Sequence, residues 1–352
     1  MRRWYENVGR GSEITADVYL RRLGSFCVAN SLTPASLASK PPHEIQSALL
    51  DYVTDHQGFA GSYVLSTMKA VRSWLAANDV ELRQKIKIKG AKDTPSLRDE
   101  RVPTKQELRR ILLSATKQSR VAIALMAFAG VRPEVLGDYK GHDGLRLGDF
   151  AELKVNSSKT EFEKIPAMVL VRSTLSKARI QYFTFLGDEG CGYIIDYLRE
   201  RSGRLKEELT ADSPLIRPRF AASKKFIRTT NVGDMIRVAI RRADFRWRPY
   251  VLRARFDTQL LLAESKGNIV RDFRTFFMGH VGDIESRYTT GKHRLPQDLI
   301  DDMRASYQRS QGFLQTIEPE MKEDDFKLMF KKELLLVSGF AEEETTKLDL
   351  AA

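Results

Sequence analysis

The chain has 352 residues, of which 42% are hydrophobic, and its formal net charge is +12. It contains no uninterrupted apolar run of the roughly 18 residues that a membrane-spanning helix needs, and the first residues lack the apolar core of a signal peptide. We therefore expect a protein of the cytoplasm. Cys27 and Cys191 are too few and too far apart to suggest a disulfide framework or a zinc site.

The positive charge is unevenly distributed along the chain. Residues 311–352 hold 10 acidic and 5 basic residues, so a net charge of +12 leaves +17 for residues 1–310. A body this basic favours a polyanionic partner, because the counterions released on binding a nucleic acid make the interaction favourable and salt-sensitive. Charge alone does not separate a nucleic-acid-binding protein from a basic protein kept soluble by its charge.

Apolar spacing divides the chain into regions. Residues 14–90 carry apolar side chains at helical spacing, which predicts a bundle of about four helices with Lys and Arg on its polar faces. Residues 84–103 lose this periodicity and gain charge, Gly and Pro. We therefore predict a helical N-terminal domain over residues 1–92 and a linker over residues 93–103.

A second domain is predicted to begin at Thr104, which with Glu107 has the pattern of a capping box. Most of the following segments have helical periodicity, whereas residues 164–187 have the pattern of two strands around a short turn. The predicted fold class is therefore mainly α with a small β-sheet (α+β), with the second domain over residues 104–310. The tail, residues 311–352, is predicted to be either solvated or a helical arm that packs on its own or a neighbouring subunit.

Four short segments carry residue types suited to chemistry at a phosphate. One of them is Met278-Gly279-His280, which is followed eight positions after the histidine by Tyr288 in a basic setting. The other three lie upstream: Gly130-Val131-Arg132-Pro133-Glu134, Ser176-Lys177-Ala178 and Tyr250-Val251-Leu252-Arg253.

Cutting a DNA strand without metal or nucleotide requires three kinds of group. A nucleophile that becomes covalently attached retains the energy of the phosphodiester bond for rejoining, and a tyrosine phenol suits this role. The negative charge on pentacoordinate phosphorus needs cationic donors placed in advance, for which the forked guanidinium of arginine is well suited. A proton must reach the departing oxygen, and a lysine can supply it.

The ordered set of segments resembles the catalytic set of the tyrosine recombinase (phage integrase) family. The segment around Arg132 is similar to the family's first arginine box, and Met278-Gly279-His280 is similar to its Leu-Gly-His motif. Lys177 lies in the predicted turn between two strands, where the family places its lysine. The stretch around Tyr288 resembles archaeal virus and plasmid integrases. The resemblance extends over about residues 14–310.

This resemblance implies a role for each residue. Arg132 and Arg253 would clamp the scissile phosphate, and Lys177 would be the general acid. His280 would hydrogen-bond a non-bridging oxygen or assist the phenol, and Tyr288 would be the nucleophile.

The chain departs from the family pattern in two places. Tyr250 occupies the position at which the second arginine box has histidine; a phenol can donate a hydrogen bond to a phosphate oxygen but does not carry protons at neutral pH as imidazole does. The gap from His280 to Tyr288 is also one residue short of the usual spacing. Tyr307 is a competing nucleophile, although the apolar stripe around it indicates a core position. Arg255 is interpreted as a DNA-backbone contact or a solvated side chain.

The resemblance also implies an activity and an assembly. Two domains would form a C-shaped clamp around double-stranded DNA, and four protomers would assemble on two DNA partners without a cofactor. Cleavage would form a 3′-phosphotyrosyl bond and free a 5′-hydroxyl, and strand exchange would pass through a Holliday junction. The biological role would be integration or excision of a virus, plasmid or other mobile element.

Two other functions remain open at the level of sequence. A type IB topoisomerase would use nearly the same residues on one duplex, without exchange between partners. A non-catalytic DNA-binding protein would bind DNA but not cut it.

Overall fold

The computed structural model describes residues 1–82, 84–93, 100–155, 160–218, 225–282, 284, 286, 288, 294–317 and 330. The chain divides into two compact units, Met1–Leu97 and Arg98–Ala352. Helices dominate the described part of both, and the described strands form two small antiparallel sheets. The predicted class, mainly α with a small β component, is confirmed. Within the same residues, no helix is both long enough and apolar enough to cross a membrane.

The described helices of the first unit are α1 (Arg2–Gly11), α2 (Glu13–Ala29), α3 (Pro34–Ala38), α4 (Pro42–Asp55) and α5 (Gly61–Ala76). Trp4 of α1 packs edge-on against Trp74 of α5, with 5.4 Å between ring centroids. Ile86 and Ile88 are partly buried against the same core. The prediction of about four helices over residues 14–90 matches α2 to α5, whereas α1 lies before that range and was not predicted. The stretch that loses helical periodicity still contributes apolar packing.

The described helices of the second unit are α6 (Lys105–Leu113), α7 (Lys117–Phe128), α8 (Pro133–Leu136), α9 (Asp188–Gly203), α10 (Thr229–Arg242), α11 (Tyr250–Ser265), α12 (Arg271–Phe277) and α13 (Gln297–Leu314). Helix α6 begins with the predicted capping box: the Thr104 N–H donates to Glu107 Oε2 at 2.9 Å, and the Glu107 N–H donates to Thr104 Oγ1 at 3.3 Å.

Helix α7 forms the centre of the second unit. Every residue from Ser119 to Phe128 is buried, because α7 packs against α9, α10 and α11. A helix buried on all sides has little freedom to shift within a close-packed interior. The residues that follow α7, among them Arg132, are therefore attached to a rigid support.

The strands form two hairpins. Strand β1 (Leu153–Val155) pairs with β2 (Thr160–Phe162), and β3 (Ala167–Val171) pairs with β4 (Tyr182–Leu186) so that Val171 lies opposite Tyr182. The prediction of two strands within residues 164–187 matches β3 and β4. The connection between them is a ten-residue loop, residues 172–181, rather than a short turn.

Two side chains at helix α13 are buried: Tyr307, which lies on the helix, and Arg255, which contacts its last residue. Tyr307 is fully buried and donates to the Phe128 carbonyl at 2.8 Å, as expected for a core residue. The interpretation of Arg255 as a DNA contact or solvated side chain is wrong. Its side chain is buried, and its Nη1 donates at 2.6 Å to the carbonyl of Leu314, the last residue of α13. Burial lowers the pKa of Arg255 to about 10.

Candidate active site

Arg132 is presented by the turn that ends α7. Gly130 has a φ of +65°, a left-handed conformation that strongly favours glycine, and a Cβ at this position would collide with the Phe256 ring. Pro133 then begins α8 and holds the preceding residue extended, and Arg132 has a φ of −82° and a ψ of 153°. The glycine and the proline together direct Arg132 away from the core, where it is half-buried.

Arg253 joins two separate turns of the chain. Its side chain, on the first turns of α11, is completely buried. One Nη donates to the carbonyl of Gly130, and the other donates to the carbonyl of Met278 at 2.6 Å. The second arginine is therefore fixed to the backbone that carries the first arginine and to the backbone that carries the histidine.

Gly279 and His280 form the C-terminal cap of α12. The Gly279 N–H donates to the Phe276 carbonyl at 2.8 Å, and the His280 N–H donates to the Thr275 carbonyl at 3.2 Å, which is the Schellman pattern. Gly279 has the left-handed φ of +60° that this cap requires. The sequence Met-Gly-His thus has a structural reason: the glycine reverses the chain and sets the position of the histidine.

His280 lies in the field of both arginines. Partial burial, Arg253 and Arg132 lower the pKa of His280, in that order, and Asp257 opposes them. Asp257 is one helical turn beyond Arg253 on α11 and accepts from Arg274 Nη1 at 2.7 Å. An imidazole with a lowered pKa is neutral at pH 7, so it can accept or donate a hydrogen bond at an incoming phosphate.

Tyr182, at the start of β4, completes the group around Arg253. Its side chain is 1% exposed, and its ring packs so closely on Gly279 that a Cβ there would lie 2.5 Å from Cε1. Burial raises the pKa of Tyr182, and Arg253 and Arg132 partly offset that rise. The sequence pattern treats this residue only as a strand residue, so it was missed as a component of the site.

Tyr250 lies at the edge of this group. It is the first residue of α11 and is 59% exposed. Its phenol is near enough to Arg253 to raise the pKa of that guanidinium against the lowering effects of burial and Arg132. Tyr250 therefore lies beside Arg253, on the solvent side.

Lys177 is exposed in the loop between β3 and β4. The base of this loop is fixed by Arg172, which donates to both oxygens of Asp143 at 2.8 and 2.9 Å and to Asp149 Oδ1 at 3.1 Å. Neighbouring Ser176 is buried. The loop is thus anchored at its base, and Lys177 lies exposed near its middle.

Tyr288 is held in a different setting from the arginines. Its side chain is 4% exposed, its ring packs edge-on against Phe183 and Phe276, and its hydroxyl accepts from Gln181 Nε2 at 3.1 Å. Burial raises the pKa of Tyr288, and the hydrogen bond from Gln181 opposes that rise. Neither Arg132 nor Arg253 is among the described groups that shift the pKa of Tyr288.

The structure therefore brings together four of the six predicted site residues, namely Arg132, Tyr250, Arg253 and His280. Lys177 and Tyr288 are connected to this group through the β3–β4 hairpin. Gln181 contacts Tyr288, and the next residue, Tyr182, lies beside the two arginines. The Cα atoms of adjacent residues are only about 3.8 Å apart. Gln181 was also missed, because no local pattern marks a loop glutamine as a partner of a distant tyrosine.

Comparisons with known proteins complete the description. No family model matches the chain, and no curated protein matches it. Among solved structures it is similar to XerA recombinase, with 19% identity over 84% of this chain and 98% of that chain and a TM-score of 0.37. It is also similar to the integrase of mycobacterium phage Brujita, with 15% identity over 93% of this chain and 96% of that chain and a TM-score of 0.39. A third similar structure is a lambda integrase dimer bound to a COC′ core site, with 18% identity over 84% of this chain and 97% of that chain and a TM-score of 0.46. Similarities at this level do not by themselves identify an activity.

Proposed function

We propose that the protein is a tyrosine-type site-specific DNA recombinase, acting in the integration or excision of a mobile element. The observation that carries the proposal is the convergence of Arg132, Arg253 and His280, from three distant parts of the chain, around a point where the arginines have no carboxylate partner among the described residues. A phosphate is the ligand whose charge and geometry fit two arginines and an imidazole.

The arginines would stabilise the reaction electrostatically. Arg132 and Arg253 would donate to the non-bridging oxygens of the scissile phosphate, and His280 would add a hydrogen bond. Because both arginines are positioned by backbone turns, little reorganisation would be needed as negative charge increases on phosphorus.

Tyr288 would supply the nucleophile. Its phenol oxygen would attack phosphorus as the phenol passes its proton to neutral His280 or to water, forming a 3′-phosphotyrosyl bond while the bond from phosphorus to the 5′ oxygen breaks. Lys177 would protonate that leaving oxygen, so that a 5′-hydroxyl departs. Since Gln181 now holds the Tyr288 hydroxyl, attack requires the tyrosine to exchange this hydrogen bond for the phosphate bound by the arginines.

The reverse reaction would complete strand exchange. A 5′-hydroxyl from a partner strand would attack the phosphotyrosyl bond and release Tyr288, and two such exchanges would form and resolve a Holliday junction. The charge of +17 over residues 1–310 supports binding to duplex DNA, and four protomers on two duplexes would supply the paired active sites.

The first test is formation of a covalent adduct that survives SDS. A duplex site would be selected from a random pool with the Tyr288→Phe protein, which should still bind DNA, and a nicked form of it would trap the intermediate. Wild-type protein should form the adduct, Tyr288→Phe should not, and Tyr307→Phe should form it in proportion to its folded fraction. Full cleavage by Tyr288→Phe would overturn the assignment of the nucleophile.

Two further readouts separate the recombinase from the alternatives. Exchange of strands between two labelled duplexes supports recombination. Relaxation of supercoiled DNA without exchange would favour a type IB topoisomerase, and binding without any adduct would favour a non-catalytic DNA-binding protein.

The role of Lys177 has its own test. Lys177→Ala should slow adduct formation by ~10²-fold or more, on the scale of general acid catalysis. A substrate with sulfur in place of the bridging 5′ oxygen should restore most of the rate, because a thiolate leaves without a proton. Equal slowing of the oxygen and sulfur substrates would contradict the general-acid role.

A further inference from the structure

We propose that Tyr182 is an additional phosphate-binding residue: its hydroxyl donates a hydrogen bond to a non-bridging oxygen of the phosphate held by Arg132 and Arg253. This inference rests on the proposed function and adds a component to the same site. It assigns a chemical role to a strand residue that no catalytic motif of the sequence contains.

The position of the hydroxyl is the first observation. Tyr182 is 1% exposed, and its buried hydroxyl has no hydrogen-bond acceptor among the described residues. Its ring edge from Cδ1 to Cζ lies against Gly279, the residue before His280. The phenol therefore reaches the place where the histidine turn and the arginine pair meet.

The charges around the hydroxyl are the second observation. Arg253 and Arg132 both lie close enough to act on the pKa of Tyr182, and Arg253 is near enough to donate to its oxygen, but no described group accepts the proton of this hydroxyl. Arginine offers donors and no acceptor, so neither guanidinium can receive the hydroxyl proton. The proton of Tyr182 thus lacks an acceptor in the described part of the DNA-free protein.

Other buried tyrosines of this unit show how such hydroxyls are usually satisfied. The Tyr307 hydroxyl donates to the Phe128 carbonyl, and the Tyr193 hydroxyl donates to Glu189 Oε1, each at 2.8 Å. The Tyr197 hydroxyl also has no hydrogen-bond acceptor among the described residues. It lies, however, beside the Arg201–Glu207 ion pair, in which the charges are balanced.

Tyr182 combines an unused donor with two cations that have no carboxylate partner among the described residues. Buried polar groups are nearly always hydrogen-bonded, and those that are not often belong to functional sites. A phosphate oxygen would accept the Tyr182 hydroxyl and at the same time neutralise Arg132 and Arg253. Tyr250, by comparison, is mostly exposed, so Tyr182 is the phenol on the interior side of the arginines.

The test compares Tyr182→Phe with wild type on the nicked duplex selected with the Tyr288→Phe protein. Phenylalanine keeps the ring against Gly279 and removes only the hydroxyl. Adduct formation should slow by ~10²-fold, the scale of one donor to a developing oxyanion. Thermal stability should be unchanged or higher, because the lost hydroxyl donates to no described residue of the DNA-free protein.

Stereospecific sulfur substitution then separates contact with phosphate from an indirect effect. Duplexes with each phosphorothioate diastereomer at the scissile phosphate would be compared with the natural phosphate. In one diastereomer the difference between wild type and Tyr182→Phe should largely disappear, because sulfur replaces the oxygen that accepts the hydroxyl. The same loss with the natural phosphate and with both diastereomers would overturn the proposal.

Tyr193→Phe is the matched control, since it removes a buried phenolic hydroxyl that has a protein partner. It should lower thermal stability while the folded protein keeps its adduct rate. If wild type and Tyr182→Phe form adduct equally fast, the Tyr182 proposal fails and the proposed function stands. If wild-type protein forms no adduct on the selected site, both fail.

Discussion

Arg253 and Arg201 are both completely buried, but they differ in the charged groups around them. Arg201 donates to both oxygens of Glu207, at 3.0 and 2.5 Å, and to two backbone carbonyls. Arg253 also donates to two carbonyls, yet the charged side chain that acts on its pKa is a second cation, Arg132. Among the described residues Arg201 has a carboxylate partner and Arg253 has none, and under the proposed function a phosphate would supply that negative charge.

Other buried arginines follow the pattern of Arg201. Arg304 pairs with Glu152, and Arg255 lies close enough to Glu189 for that carboxylate to raise its pKa against burial. A buried cation is unfavourable unless it is paired, so an anion that completes the Arg253 pocket would gain the interaction that the other arginines already have. Burial alone therefore does not distinguish Arg253 from the other arginines; the proposed role of Arg253 rests on the missing counter-charge among the described residues.

The largest effect is expected when Arg253 is removed. Arg253→Ala should reduce the rate of adduct formation by ~10²- to 10³-fold, because a preorganised donor to the phosphate is lost. The rate would be measured on the selected nicked duplex at a temperature at which circular dichroism shows the variant folded. A near-normal rate would remove Arg253 from the site and show that it is structural, as Arg201 is.

Arg201→Met should have the opposite profile. Methionine keeps the aliphatic volume but leaves Glu207 and two carbonyls without their donor, so the free energy of unfolding should fall by about 2–4 kcal/mol. Denaturant titration would measure that loss, and the adduct rate per folded molecule should match wild type. A variant with normal stability and a slow rate would show that the ion pair takes part in the reaction.

Gly279→Ala tests whether the histidine turn and Tyr182 form one wall of the pocket. A left-handed conformation costs an alanine about 1–2 kcal/mol, and the new Cβ would also collide with the Tyr182 ring. Gly267→Ala is the matched control, because Gly267 has a φ of +75° but open space around its Cβ position. Thermal unfolding should show a larger loss for Gly279→Ala, and only that variant should also lose adduct rate. Equal losses of stability and rate would contradict the shared wall.

The smallest effect concerns the protonation of His280. Burial, Arg253 and Arg132 lower its pKa, so in mildly acidic solution the unfolded chain binds this proton more readily than the folded protein does. The resulting contribution to stability is present above the ordinary histidine pKa of about 6.5 and is lost as the pH falls from there toward the lowered folded pKa. Denaturant titrations at pH 7 and pH 5.5 should show a steeper loss for wild type than for His280→Gln. Parallel losses would place His280 outside the field of the arginines.

Much of the site could be predicted because local sequence determines it. Gly130 and Pro133 lie on either side of Arg132 and restrict the backbone there, and Gly279 is needed for the cap that positions His280. Such signals lie within a few residues of the side chain they position. The capping box at Thr104 was predicted for the same reason.

The rest could not be predicted because it depends on tertiary contacts. Arg255 differs from Arg253 by only two positions, and nothing local shows that α13 ends against it. Gln181 and Tyr182 have the composition of a loop and a strand, and their partners lie 107 and 97 positions away along the chain. Helix α1 was missed because its apolar residues are few, and Trp4 gains its role only through contact with Trp74.

The most direct measurement is mass spectrometric identification of the residue that becomes linked to DNA. The SDS-stable adduct on the selected site would be digested with protease and nuclease, and the peptide that retains a nucleotide would be sequenced. We predict a single phosphotyrosyl peptide containing Tyr288, absent from Tyr288→Phe. A nucleotide on Tyr307 or Tyr182, or on any residue other than Tyr288, would contradict it.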